Sequence, residues 1–181
     1  MATIRIVLVI FCLGFAERNT LPHGHLLKQE KLGMTRLLAI ANQEVGIREA
    51  SGHNDGQRVA AYLAAADLRM GAPWCAAFVC WVFRKAGYAQ PRTGWSPALF
   101  NSRVHRKKAA PGLVFGIWFP ELHRIAHVGF VADLQHDWVI SIEGNSNADG
   151  SREGDGVYRK RRPLHLIYDL ANWLPEEGGT P

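Results

Sequence analysis

The order of two hydrophobic patterns along the chain is the feature that most restricts its fold. In the first half, apolar residues recur at steps of three and four, which is the spacing of one face of an α-helix. In the second half, they stand in short β-branched or aromatic runs that turn residues separate. Helices followed by strands favour an α+β domain, in which an antiparallel sheet packs one face against the early helices.

Three helices are predicted in the first half. The first spans residues 35–49, with Thr35 as its N-cap. The second ends near residues 71–73, and its apolar stripe comprises Val59, Tyr62, Leu63 and Ala66. The third spans residues 74–86, because Pro73 favours a helix start and Gly87 a helix stop.

Four strands are predicted in the second half, after a short helical turn that begins at Pro97. They span residues 113–119, 125–132, 138–143 and 157–161. The chain has 181 residues, 48% of them hydrophobic, which is enough for one domain with a core and too few for two. We therefore expect a single, monomeric domain over residues 34–175, followed by a flexible tail at 176–181.

The N-terminal residues have the composition of a secretory signal peptide. Arg5 precedes an apolar run over residues 6–15, and small residues follow it. A signal peptide over residues 1–16 predicts a secreted or periplasmic protein, with residues 17–33 as a linker or extension. The run is shorter than the ~20 residues that a membrane-spanning helix needs, so no permanent span is expected. The alternative is an upstream extension before a domain that opens near Met34, in a protein that is cytoplasmic before release.

Basic residues outnumber acidic ones, by 21 to 16. The resulting charge of +5 and the pI near 9.4 favour anionic surroundings, such as an envelope polymer, a membrane face or nucleic acid. Basic clusters at residues 103–108 and 159–162 lack interleaved aromatic residues and any nucleic-acid-binding motif, so nucleic acid is not an expected partner. Both clusters are predicted to be solvated faces.

A cysteine lies in the first turn of the third predicted helix. There, unpaired backbone N–H groups and the helix macrodipole stabilise a thiolate and lower the thiol pKa, as a nucleophile needs. Alternatively, Cys75 is a small buried hydrophobe among apolar neighbours. Cys80 lies in the middle of the helix and is predicted to belong to the core. The two side chains diverge by about 140° around the helix axis, which argues against a disulfide or a shared metal.

His127 lies in the second predicted strand, where alternation groups it on one face with Ile125, Gly129 and Val131. Gly129 leaves space beside the imidazole for a helix terminus or a substrate. A lone histidine in a strand is more often a structural group than a catalytic base, so both interpretations are kept. Of the other histidines, His123 is the near competitor.

Glu143 and Asn145 end the third predicted strand. Adjacent antiparallel strands would bring them near His127, where either could hold the imidazole in the tautomer that presents a free nitrogen to a thiol. The alternative for Glu143 is a carboxylate at the rim of the sheet. The loop after it resembles the beginning of an EF-hand, but Gly156 stands where calcium needs a bidentate glutamate. No metal or organic cofactor is expected.

Three short motifs, in this order, resemble the CHAP family of cysteine, histidine-dependent amidohydrolases/peptidases. They are GAPWCAAFV at residues 71–79, AHVGFV at 126–131 and IEGN at 142–145. The resemblance implies a papain-like α+β fold and hydrolysis of an amide bond in bacterial peptidoglycan, either the N-acetylmuramoyl-L-alanine amide or a peptide bond of the stem or cross-bridge. By motif, Cys75 corresponds to the nucleophile and His127 to the base. Glu143 and Asn145 correspond to the groups that orient the imidazole.

The chain departs from this family at the first predicted strand. Members often have Gly-Asp there, whereas this chain has Gly112 followed by Leu113. Because that aspartate lies outside the catalytic group, its replacement bears on local structure more than on activity. No side chain is identified as an oxyanion donor, so the Cys75 backbone N–H is the physical candidate. Two other functions fit the motifs, namely a non-catalytic module that binds the cell wall and a cytoplasmic cysteine amidase or transferase.

Overall fold

The computed structural model describes residues 23–101, 104–150 and 153–175. Within these ranges the chain forms three α-helices, which are α1 (His23–Gln43), α2 (Gln57–Ala65) and α3 (Cys75–Lys85). The helices are followed by five strands, which are β1 (Val114–Phe119), β2 (Arg124–Gln135), β3 (Trp138–Ser146), β4 (Gly156–Pro163) and β5 (Asp169–Ala171). The predicted signal peptide at 1–16 and tail at 176–181 lie outside the described residues.

The five strands form one antiparallel sheet in the order β4-β3-β2-β1-β5. Strands β1 to β4 pair in sequence order, and β5 returns to pair with the outer edge of β1. The predicted α+β class and the order of helices before strands are therefore confirmed. The sequence pattern does not predict β5, because its three residues are too few to establish an alternation.

The three helices pack on one face of the sheet, with α3 at the centre. Every residue of α3 from Cys75 to Phe83 is buried. Tyr62 of α2 stacks on Trp74 at 5.2 Å between ring centroids and meets the edge of Phe78 at 5.3 Å. Gly144 in β3 allows α3 to approach closely, since a Cβ there would lie 2.6 Å from the Cβ of Phe78. This packing fixes the N-terminus of α3 beside the sheet.

A smaller apolar cluster lies on the opposite face. It comprises Leu113, Phe115, Val131, Val139 and Leu170. Each large apolar side chain that the two clusters bury contributes roughly 1.5–3 kcal/mol relative to exposure. The sheet is therefore stabilised from both sides.

Helix α1 begins at His23, so the predicted start at Thr35 is wrong. Thr35 is not an N-cap, because its hydroxyl donates to the carbonyl of Lys31 one turn earlier, at 2.8 Å. The early turns carry exposed leucines and show no apolar stripe, which is why the periodicity missed them. The helix ends at Gln43 instead of 49, since the following residues pair with β4 through the Arg48–Gly156 bridge. No helix in the described part of the chain is both long and apolar enough to cross a membrane.

Strand β2 contains a bulge beside His127. Ile117 of β1 pairs with His127, whereas the next residue, Trp118, pairs with Ile125, so Ala126 is an extra residue. As a result, Ile125 lies in the helix-side core while Val131 lies in the opposite cluster. The predicted grouping of Ile125 with Val131 on one face is therefore wrong.

Candidate active site

The N-terminus of α3 positions Cys75. Cys75 is the first residue of the helix, is 7% exposed, and receives the backbone N–H of Ala76 at its sulfur. The preceding residue, Trp74, is fully buried, and its indole N–H donates to Glu49 Oε1 at 2.8 Å. The residue before the thiol is thus held by a hydrogen bond as well as by packing.

A hydrogen bond between β2 and β3 orients His127. Its Nε2 lies 2.8 Å from Oε2 of Glu143. Because an ionised carboxylate only accepts hydrogen bonds, Nε2 carries a proton and Nδ1 is left for Cys75. The imidazole also interacts with the thiol, and this interaction shifts the pKa of both groups.

Glu143 is fully buried and surrounded by donors. Arg162 of β4 binds it through two hydrogen bonds, from Nε to Oε1 at 2.9 Å and from Nη2 to Oε2 at 2.6 Å. The hydroxyls of Ser141 and Ser146 donate to the same carboxylate, at 2.5 and 3.2 Å. Burial alone would raise the pKa of Glu143, but Arg162 and His127 outweigh it and hold that pKa well below the usual range.

The pKa values of the thiol and the imidazole shift in opposite directions. Burial favours the neutral thiol, yet hydrogen bonds from His127, Ser96 and the Ala76 N–H lower the pKa of Cys75 below its usual value. Burial likewise favours the neutral imidazole, yet hydrogen bonds to Cys75 and Glu143 raise the pKa of His127 to about 9. Both shifts favour a thiolate beside an imidazolium over a neutral thiol beside a neutral imidazole.

Cys80 has the opposite environment. It is buried in α3, and its sulfur contacts the backbone carbonyl and N–H of Thr93 at 3.2 and 3.3 Å. Burial raises the pKa of Cys80 to about 11. Its prediction as a core residue is confirmed.

Asn145 does not orient the imidazole. No hydrogen bond joins it to His127 within the described residues, and its buried Oδ1 has no hydrogen-bond partner there. Its backbone adopts a left-handed conformation with φ 51°, against which Gly154 packs closely. Of the two residues predicted for this role, the structure brings only Glu143 to His127.

Cys75 and His127 face a common cavity of about 300 Å³. The loop before α2, the end of β3 and the loop after it contribute polar residues, among them Asn54, Asn145 and Asn147. The β1–β2 hairpin and the turn after β4 contribute Ile117, Phe119, Leu122, Arg124 and Leu166. A substrate in this cavity would reach the thiol between a polar and a mainly apolar lining.

Two residues of the site carry no recognisable sequence signal. Ser96, whose Oγ lies 3.6 Å from Sγ of Cys75, stands 21 residues away in a short 3-10 turn. Arg162 belongs to the basic run at 159–162, for which the prediction of a solvated face is wrong at two positions: Arg162 is bound to Glu143, and the half-buried Lys160 donates to the carbonyl of Asn147. Packing of the turn against α3 brings Ser96 to Cys75, and pairing of β3 with β4 brings Arg162 to Glu143. Local sequence patterns encode neither contact.

The remaining candidates do not join the site. His123 is exposed at the end of a 3-10 turn and does not line the cavity. Within the described ranges, no group of three or more His, Cys, Asp or Glu side chains could hold a metal ion. Asn147, which belongs to the EF-hand-like stretch, instead accepts the Gly150 N–H and donates to the carbonyl of Glu153, as in a turn.

Comparison of the chain with models of protein families, with curated proteins and with solved structures gives no match.

Proposed function

We propose that this chain is a cysteine amidohydrolase of the CHAP type, with a papain-like fold, that hydrolyses an amide bond of peptidoglycan. The observation that carries the proposal is that Cys75 and His127 line one cavity and interact there, while a buried Glu143, held by Arg162, forms a hydrogen bond with His127. The three motifs that resemble the CHAP family contain Cys75, His127 and Glu143. A wall-binding module without activity has no need of a stabilised thiolate.

In the proposed mechanism, the Cys75 thiolate attacks the amide carbonyl. The backbone N–H of Cys75 stabilises the resulting oxyanion. His127 then donates its Nδ1 proton to the leaving amine, and a thioester forms. Water attacks the thioester, His127 accepts the proton of that water, and the thiolate leaves again. Glu143 holds the imidazole orientation in both steps.

The charge and the cavity fit a substrate in an anionic polymer. The chain carries a formal charge of +5, which favours accumulation on an anionic wall. The cavity, at about 300 Å³, has room for an amide with several non-hydrogen atoms on either side of it. Both the muramoyl amide and a peptide bond of the stem or cross-bridge are compatible with this site.

Digestion of purified peptidoglycan tests the proposal. We expect Cys75→Ala to reduce the rate of muropeptide release by about a thousandfold or more, because no other group forms the thioester. Cys80→Ala is the matched control, since Cys80 lies in the same helix and does not line the cavity. Mass spectrometry of the products identifies the cleaved bond by its new termini. Equal digestion by the parent and Cys75→Ala would refute the mechanism.

A further inference from the structure

Arg124 is a cation in the cavity lining that the proposed mechanism does not use. It is the first residue of β2 and pairs with Phe119 at the end of β1. It lines the same cavity as Cys75 and His127. Strand β2 therefore supplies the imidazole and, three residues earlier, a guanidinium.

The guanidinium of Arg124 is held in place without a carboxylate. Its Cζ lies 4.4 Å from the centre of the Trp95 ring, and its Nη1 donates to the carbonyl of Ile125 at 3.2 Å. Among the described side chains, no acidic group forms an ion pair with it. The other arginine of the cavity, Arg162, is bound to Glu143. Because a guanidinium has five N–H donors, Arg124 keeps donors for a ligand.

Strand geometry sets the range over which Arg124 acts. Arg124 pairs with Phe119 and His127 with Ile117, so the bulge leaves the two positions two ladder steps apart, which is about 7 Å. Each residue of an extended peptide spans about 3.4 Å. The arginine side chain bridges part of this distance, so its guanidinium suits a group one or two residues from an amide held at Cys75. Ile117 and Leu122 bring apolar surface to the same cavity, and an ion pair with Arg124 there would be a charge-assisted hydrogen bond.

We propose that Arg124 is a specificity residue that binds a free carboxylate of the substrate, one or two residues from the scissile amide. A planar guanidinium binds a carboxylate through two parallel hydrogen bonds, and the contact with the Trp95 ring helps to hold it in place beforehand. The inference rests on the proposed function and narrows its substrate class to amides near a free carboxylate.

Two alkylating reagents that differ in one end group test the carboxylate site without a substrate. Both are iodoacetyl-glycine derivatives, one ending in a carboxylate and the other in a carboxamide. In each, the Cys75 thiolate displaces iodide and one S–C bond forms. Arg124→Gln should lower the ratio of the two rate constants, carboxylate over carboxamide, by about tenfold, because a charge-assisted pair is lost. Arg124→Lys, which keeps the charge without the planar fork, should keep part of the ratio.

Arg161→Gln is the matched control. Arg161 also lies over a tryptophan, with its Cζ 4.1 Å from the centre of the Trp138 ring, but it does not line the cavity. In Arg161→Gln, the ratio of the carboxylate to the carboxamide rate constant should equal that of the parent. The rate constant with the carboxamide reagent reports whether the site of Arg124→Gln is intact. If that rate constant falls below the parent value, the inference is judged instead on the ratio of the two rate constants in Arg124→Lys. The inference is overturned if the variant used for the judgement, Arg124→Gln or Arg124→Lys, has the same ratio of carboxylate to carboxamide rate constants as the parent.

Hydrolysis separates this inference from the proposed function. The parent should cleave a muropeptide with a free terminal carboxylate about tenfold faster, in kcat/KM, than its amidated form, and Arg124→Gln should not discriminate. If the parent cleaves both forms equally, the role of Arg124 is overturned while the hydrolase stands. If it cleaves neither form but keeps the reagent preference, the proposed function is overturned and the carboxylate site stands.

Discussion

Glu143 is a fully buried carboxylate whose charge two cations balance. Arg162 neutralises it directly, and protonated His127 brings a second positive charge, which the Cys75 thiolate balances in turn. Two anions and two cations thus share one buried group, without net charge. Since an unpaired buried charge costs several kcal/mol, each member of the group favours the charged state of the oppositely charged members beside it.

Replacing Glu143 by glutamine is expected to raise the pKa of Cys75. Without the carboxylate, the imidazolium is less favourable, the pKa of His127 falls from about 9, and the thiolate loses its counter-ion. The rate of alkylation by iodoacetamide rises with pH as the thiolate forms. In Glu143→Gln, the midpoint of that rise should lie about one pH unit or more above the parent midpoint.

The alkylation profile has an internal and an external control. Cys80 does not contribute at neutral pH, because burial raises its pKa to about 11. Glu121→Gln removes an exposed carboxylate of the β1–β2 connection and should reproduce the parent profile. An unchanged midpoint in Glu143→Gln, with the label located on Cys75, would contradict the proposed charge balance.

At the level of single residues, the sequence predicts the members of the site that lie in motifs and misses their supports. Cys75, His127 and Glu143 are recognisable because a helix start, a strand and a strand exit each give a local reason for them. Ser96 and Arg162 have no such reason, since one belongs to a loop and the other to a basic run. Only the pairing of β3 with β4 brings Arg162 to Glu143.

Among the secondary-structure elements, strand β2 shows both the success and the limit of periodicity. Its existence follows from the alternating apolar residues, whereas its bulge at Ala126 does not, because an extra residue leaves the composition unchanged. The bounds of α3 agree with the prediction to within one residue, since Pro73 and Gly87 are specific start and stop signals. Helix α1 and β5 lack such signals, so their bounds could not be read from the pattern.

Strands β2 and β3 lie so close together at Gly129 that a side chain added there is expected to disturb both strands. The space that a missing side chain leaves there is filled by Glu143, not by a substrate, because a Cβ at Gly129 would lie 2.8 Å from Glu143 Cγ and 2.8 Å from the Ile142 carbonyl. Gly129→Ala must therefore separate the strands or displace Glu143. We expect a loss of about 1–3 kcal/mol in the free energy of unfolding, measured in urea, and slower alkylation of Cys75 at neutral pH.

Gly24→Ala is the control for this substitution. Gly24 lies in α1, and a Cβ there meets no atom within 4 Å. Alanine also favours a helix over glycine, so this variant should be at least as stable as the parent. Equal stability of Gly129→Ala and the parent would show that β2 and β3 tolerate the added methyl group, against the close contact described above.

For the molecule as a whole, the N-terminal half of α1 contacts the segment that follows β5. Asn172, which is 6% exposed and follows β5, donates through Nδ2 to Oε1 of Glu30, and its Oδ1 accepts the N–H of Leu174 at 3.0 Å. Gly33 packs closely against Tyr88 and Leu174. Glu30 and Gly33, which lie in the predicted linker at 17–33, therefore contact the folded body.

Removal of the Glu30 carboxylate tests whether this part of α1 belongs to the stable unit. In Glu30→Ala the nearly buried amide of Asn172 loses its acceptor, so we expect the free energy of unfolding to fall by about 1–3 kcal/mol. Lys28→Ala, two residues earlier on the exposed surface of the same helix, should change it by less than about 0.5 kcal/mol. Urea unfolding at neutral pH compares the two variants. If both variants unfold at the parent midpoint, this hydrogen bond adds nothing to stability, and a stable unit that begins near Met34 is the better description. If only Glu30→Ala loses stability, the stable unit begins before Met34, in the part of α1 that contains Glu30.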